Sequence, residues 1–102
     1  MSDTLLEKYA FFDALRAVPV IEKIILYGSR ARGDNRERSD IDLAIVCPQA
    51  TASDWQKILE ILENADTLLM IDCVRFDTLA ETNPLKKSIM QDGVVVYEKG
   101  RS

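Results

Sequence analysis

The sequence predicts one α/β (α+β) domain, a small mixed β-sheet flanked by helices. Three observations carry this expectation. Helical patterns and short apolar runs alternate along the chain, the order from which a sheet covered by helices is built. At 102 residues the length matches one domain and no more. With 47% apolar and 29% charged residues, the chain can fill a core and is not a disordered tail.

Each element has its own signal. Residues 4–17 read as a helix, with Thr4 and Glu7 spaced as a capping box and Leu5, Leu6, Tyr9, Phe12 and Leu15 forming an apolar stripe. Pro19 ends the pattern. Residues 23–27 (KIILY) form a short strand that stops at Gly28, and an arginine-rich polar stretch runs from Ser29 to Ser39. Residues 40–46 (DIDLAIV) form a second strand, closed by Pro48. Ser53 and Gln56 match a capping box and open a helix to about Asn64, with Trp55, Ile58, Leu59 and Leu62 inward. Residues 67–74 (TLLMIDCV) are nearly all apolar and predict a third strand covered on both faces. Asn83-Pro84 opens a last helix that closes near Asp92-Gly93, and residues 94–98 (VVVYE) are the final strand.

Composition excludes several chemistries. The chain has no histidine, so Ser-His-Asp and Cys-His mechanisms and His-ligated metals are ruled out. What remains is carboxylates, hydroxyls, lysines, arginines and oxygen-held metals. The formal charge of −4 disfavours general nucleic-acid binding. Cys47 and Cys73, the two cysteines, read as reduced core or near-core thiols. No apolar run approaches the roughly 20 residues of a membrane span, and the acidic N-terminus lacks a cationic leader. The expectation is a cytoplasmic protein without membrane association.

One stretch concentrates chemistry. Asp40 and Asp42 stand at i and i+2 of a strand, so their side chains share a face with Cα atoms about 6.5–7 Å apart. Two such carboxylates can converge on one or two metal ions. The competing reading is a turn at Ser39-Asp40 followed by a solvated strand residue. Asp72 lies within the apolar run LLMIDCV, where a charge is costly unless paired or bound to a cation. If the third strand adjoins the second, Asp72 joins the same face; otherwise Arg75 or Lys23 would pair with it. Carboxylate-only ligation favours Mg²⁺ or Mn²⁺. Gly28-Ser29, at the end of a strand, offers backbone N–H groups and a hydroxyl to phosphate, and glycine permits close approach. Arg30, Arg32, Arg36 and Arg38 against Asp34 and Glu37 leave a local balance of +2 (four minus two), suited to a triphosphate or an anionic acceptor if they are not simply solvated.

Taken together, the run GSRARGDNRERSDIDLAIV resembles the minimal nucleotidyltransferases (MNT proteins) of the DNA polymerase β superfamily, in which Gly-Ser ends a strand, a loop of about ten residues follows, and Asp-x-Asp-Leu opens the next strand. Ten residues separate Ser29 from Asp40 here. The resemblance implies a polymerase β palm-like core over residues 1–102 as one minimal domain. It implies that Gly28 and Ser29, with Arg30 and Arg32, bind the phosphates of ATP, and that Asp40, Asp42 and Asp72 hold two Mg²⁺ ions and are the catalytic groups. Asp66 and Asp77 are rival candidates for the third carboxylate. Larger members of the superfamily carry a helical acceptor domain, whereas this sequence stops four residues after Glu98, so the acceptor is expected on another chain. The MNT family further implies an antitoxin that transfers AMP from ATP to a tyrosine of a helical HEPN toxin. Two alternatives stand beside this: a catalytically inactive binding module of the same fold, and nucleotide addition to RNA.

Overall fold

A computed structural model describes residues 9–28, 41–67 and 70–100. In chain order the elements are α1 (Ala10–Arg16), β1 (Lys23–Tyr27), β2 (Ile41–Val46), α2 (Ala52–Glu63), β3 (Ile71–Arg75), a 3₁₀ turn (Phe76–Thr78), α3 (Pro84–Asp92) and β4 (Val94–Glu98). The four strands form one mixed sheet in the order β3-β2-β1-β4. β1 is antiparallel to both β2 and β4, and β3 runs parallel to β2 after the α2 crossover. The class is the mixed α/β sheet with flanking helices that the sequence predicts.

The period-two alternation of β1 and β2 divides the core between the two faces of the sheet. Ile24 and Leu26 of β1, with Ile41, Leu43 and Ile45 of β2, pack on one face with Phe11, Phe12 and Leu15 of α1 and Ile58 of α2. On the other face Tyr27, Ala44 and Ile89 of α3 form a smaller buried group, joined by Ile25, Val74, Phe76, Leu79 and Leu85. β2 carries both layers, which is why four of its six residues, Ile41 and Leu43 to Ile45, are 1% exposed or less.

Several boundaries differ from the sequence expectation. Helix α1 begins at Ala10; the predicted start at Thr4, with its capping box, lies outside the described residues. Asp66 takes the capping role at Ala10: its carboxylate accepts from Ala10 N–H at 3.2 Å and Phe11 N–H at 3.4 Å. Helix α2 is opened by Thr51, not Ser53. Thr51 Oγ1 accepts from Asp54 N–H at 3.1 Å, and the Asp54 carboxylate accepts from Thr51 N–H at 2.9 Å. An ionised acceptor at the third helical position is stronger than the amide that Gln56 would offer, so the box closes two residues earlier. Helix α3 and β4 have the predicted bounds, and the side chain of Asn83 accepts from Leu85 N–H at 2.8 Å.

Strand β3 departs most. It spans Ile71–Arg75, not 67–74, and it lies at the edge of the sheet, where Asp72 is exposed and no strand residue is fully buried. Its apolar residues turn to both sides of the sheet, Ile71 and Cys73 against the main core and Val74 against the small second core, but at this edge position they are only partly buried. Its C-terminal end is tied down by a polar clamp. Arg75 Nη2 donates to the carbonyls of Cys47 and Ala50, both at 3.0 Å, while Nε donates to Asp77 Oδ2 at 2.9 Å. Asp77 Oδ1 accepts from Cys47 N–H at 2.8 Å.

Because the clamp satisfies two carbonyls and an amide with one half-buried ion pair, Arg75→Ala is expected to cost about 2 kcal/mol in urea denaturation with the m-value unchanged. The more open Lys23–Glu98 pair, 3.6 Å apart, serves as the control. Glu98→Gln should shift stability by less than about 0.5 kcal/mol.

Candidate active site

The pairing registers assemble the site. Tyr27 is the partner of Asp42 across the β1/β2 ladder, and Asp42 is the partner of Asp72 across β2/β3. Residues directly opposite one another in a ladder project to the same face, on neighbouring strands about 4.8 Å apart. Tyr27, Asp42 and Asp72 thus form one cross-strand row on the face that α3 covers. The row sits where β1 ends and β2 and β3 begin. Tyr27 is 8% exposed, Asp42 is intermediate and Asp72 is exposed, so the row grades from core to solvent.

Gly28 follows the row directly. It has φ of 77°, in the left-handed region that favours glycine. The carboxylate of Asp42 lies against it.

The row is electrostatically connected. Burial, and then the charges of Asp42 and Asp72, push the Tyr27 phenol up to about 12. The two thiols lie outside the row. Both are free; burial raises each, and Cys73 reaches about 12. This agrees with reduced near-core cysteines.

Of the predicted site residues, the structure places Gly28, Asp42 and Asp72 together. Ser29, Arg30, Arg32 and Asp40 lie outside the described residues, as do Arg36 and Arg38. Among the described residues there is no group of three or more His, Cys, Asp or Glu side chains arranged to hold a metal. The described part of the candidate metal site is the Asp42–Asp72 pair. The alternative ion pairs for Asp72 are not taken up: Arg75 is bound to Asp77 and Lys23 faces Glu98. The rival carboxylates are engaged elsewhere, Asp66 at the start of α1 and Asp77 in the clamp. The premise that Asp72 is buried needs correction, since an edge position exposes it. What makes Asp72 notable is its register opposite Asp42.

Tyr27 is the member of this row that sequence reading left among ordinary strand residues. Its position at the end of KIILY, one step before Gly28, was visible. The register that sets it opposite Asp42 was not, because pairing is a property of two segments.

Comparison with known proteins assigns this architecture. The family model described as "Polymerase beta, Nucleotidyltransferase" matches residues 12–102, and the chain belongs to that family. A protein of Methanocaldococcus jannaschii, named "Putative protein adenylyltransferase MJ1379", is 31% identical over 77 residues, covering 74% of this chain and 77% of that protein. The fold is also similar to solved structures. One belongs to a toxin–antitoxin complex with AMP-PNP, with TM-score 0.61 and 18% identity over 98% of this chain and 76% of the other. Another belongs to a complex of a tri-AMPylated Shewanella oneidensis HEPN toxin with an MNT antitoxin, with TM-score 0.54 and 18% identity over 95% of this chain and 70% of the other. At these identities the structural likeness establishes the fold. Among the described residues, no helix is long and apolar enough to cross a membrane.

The row makes a pH prediction. The folded chain holds the Tyr27 proton above the pH at which an unfolded phenol loses it, about 10. The stability this contributes is complete below about pH 10 and is lost as pH rises toward 12. Ultraviolet difference titration of the folded chain, which has three tyrosines, should show one ionisation near pH 12. That transition should vanish in Tyr27→Phe and move to lower pH in Asp42→Asn, which removes the nearest charge.

Proposed function

We propose that this chain is a divalent-metal-dependent nucleotidyltransferase that transfers AMP from ATP to a tyrosine hydroxyl of a HEPN-type toxin and acts as its antitoxin. The observation that carries the reading is the register-matched pair Asp42 and Asp72 beside Gly28, in a chain of the polymerase β nucleotidyltransferase family. The similarity to a protein named as a protein adenylyltransferase, and the likeness to antitoxin complexes with AMP-PNP and with an AMPylated HEPN toxin, support the acceptor class.

The donor set fits Mg²⁺ or Mn²⁺. Asp42 and Asp72 offer hard carboxylate oxygens on one face, with Asp40 two residues before Asp42, and the chain has no histidine to favour zinc. Bound there, the ions would neutralise charge on the triphosphate and lower the barrier to attack by the acceptor oxygen. Gly28 and Ser29 would seat phosphate oxygens at the end of β1, and Arg30 and Arg32 would pair with the remaining triphosphate charge. In the reaction the tyrosine oxygen bonds to the α-phosphorus, the bond to pyrophosphate breaks, and the phenolic proton is released. Catalysis of this kind is mainly orientation and charge placement, which rigid strand ends provide better than loops.

The alternatives are separable. An inactive binding module would inhibit its partner without consuming ATP. An RNA-adding enzyme would extend a 3′ end, which a chain of net charge −4 is poorly suited to bind. Location in the cytoplasm, where ATP is abundant, belongs to the same proposal.

With a purified HEPN partner, ATP and Mg²⁺, the expected product is a partner heavier by AMP minus water on a tyrosine. Asp40→Asn, Asp42→Asn and Asp72→Asn should each abolish it while the fold survives, and Ser29→Ala should slow it by about tenfold. An unmodified partner together with extension of an RNA 3′ end would overturn the proposal in favour of the nucleic-acid reading. Undiminished transfer by Asp40→Asn/Asp42→Asn would remove the carboxylate site altogether.

A further inference from the structure

Three glycines of the described chain can be compared by what a methyl group would meet at each. At Gly100, with φ of 84°, a Cβ would find nothing within 4 Å. At Gly93 it would meet the Ile89 carbonyl oxygen at 2.3 Å and Ile25 Cγ2 at 2.6 Å, a close approach of helix α3 to the sheet. At Gly28 it would meet Asp42 Oδ2 at 2.3 Å, Asp42 Cγ at 3.1 Å and Asp42 Cβ at 3.4 Å. All three nearest atoms belong to one side chain, and that side chain is the middle carboxylate of the row. The Asp42 Cβ is at ordinary contact distance, so the conflict lies with the carboxyl group alone.

We propose that Gly28 is a positioning residue for Asp42: the volume left by its missing side chain is the notch in which the Asp42 carboxylate rests, in register with Asp72. The functional meaning rests on the reading of Asp42 as a metal-holding carboxylate, whereas the geometry does not depend on it. The usual account of glycine at such a turn is backbone freedom or room for a ligand. Here the volume on the Cβ side is already taken by a side chain of the neighbouring strand, while the backbone N–H proposed to seat phosphate is a separate group. A Cβ at position 28 cannot coexist with the Asp42 carboxylate where it stands, and the side chain is the group with freedom to turn. β2 cannot yield instead, because Ile41, Leu43 and Ile45 fix it in the main core with exposures of 1% or less. The positive φ of Gly28 and the notch are separate demands on one residue, and they can be separated by experiment.

The test is a set of thermal melts of the full chain. Gly28→Ala is introduced into three backgrounds: the native Asp42, Asp42→Asn and Asp42→Ala. Asparagine keeps the shape of aspartate without its charge, and alanine removes the conflicting atoms while leaving Cβ. Left-handed strain at position 28 is common to all three. The notch predicts that Gly28→Ala lowers Tm by similar amounts with Asp42 and Asp42→Asn. It predicts a loss smaller by at least about 4 °C in Asp42→Ala, where 1 kcal/mol corresponds to about 4–8 °C for a domain of this size. Should Gly28→Ala fail to fold while Gly28→Ala/Asp42→Ala folds, the proposal is supported at larger amplitude. Equal losses in all three backgrounds, or failure of both chains to fold, would overturn it, leaving Gly28 a matter of backbone conformation. The melts need no nucleotide, metal or partner. Coupling without AMP transfer would therefore sink the proposed function and leave this inference standing, and additivity with intact transfer would do the reverse.

Discussion

Everything at the site depends on the register of β2 between its two neighbours. β2 is antiparallel to β1 on one side and parallel to β3 on the other, and both ladders must be in step for Tyr27, Asp42 and Asp72 to share a row. The force that holds the register is not at the site. It is the burial of Ile41, Leu43 and Ile45 against α1 and α2, each contributing roughly 1.5–3 kcal/mol as a fully buried side chain. A slip of one residue would turn Asp42 into that apolar layer and bring Ile41 and Leu43 to the face of Tyr27, exchanging buried hydrocarbon for a buried charge. The acidic residue is kept on its face by the hydrocarbon on either side of it in the sequence.

The far end of the sheet explains why β3 can serve as an edge strand and still hold a precise position. Among the described residues no strand lies beyond β3, so one ladder fixes it. The Arg75–Asp77 clamp adds the second anchor, binding the end of β3 to the turn that follows β2 through Cys47 and Ala50. That turn also leads into α2, the crossover that makes β3 parallel to β2. Strand, turn and helix are thus joined where the parallel connection begins, at the opposite end of the strands from Asp42 and Asp72. At the N-terminal end of the strands, Asp72 is exposed and Asp42 half-buried.

How much of this was readable without coordinates follows from the range of each signal. KIILY, the strand ending at Val46, the helix from Pro84 to Asp92 and VVVYE were legible because their cues are local: apolar runs bounded by Gly and Pro, and a Pro-start, Gly-stop pair. The Ser53-Gln56 box does not form because Thr51-Asp54 overlaps it in sequence and offers the stronger acceptor. The start of the third strand and its partial burial are not legible in the sequence, because an apolar run does not disclose whether its outer edge has a neighbour. Gly28, Asp42 and Asp72 were legible as a motif, yet the reason for Asp72 was inverted: a cost of burial was assumed, and an exposed position in register was found. Tyr27 and the Arg75 clamp were missed since both depend on partners 15 or more positions away in the chain, Asp42 and the carbonyls of Cys47 and Ala50.

The grading of the row from buried phenol to exposed carboxylate has its own logic. Two carboxylates on adjacent strands repel, and the repulsion grows as water is excluded. Placing Asp72 at the edge keeps one member of the pair exposed to water. On the other side Tyr27 fills the step toward Ile89 and Ala44 with an aromatic ring whose phenol, pushed up to about 12, is uncharged at neutral pH. The ring thus closes the apolar side of the row without adding a charge to it at neutral pH. A fully buried acidic pair would be protonated or would disrupt the core, and a fully exposed one would be held in no fixed relation. A register-locked row at the rim of a sheet meets both requirements, because the backbone ladders and the hydrocarbon beneath them fix the positions of its members.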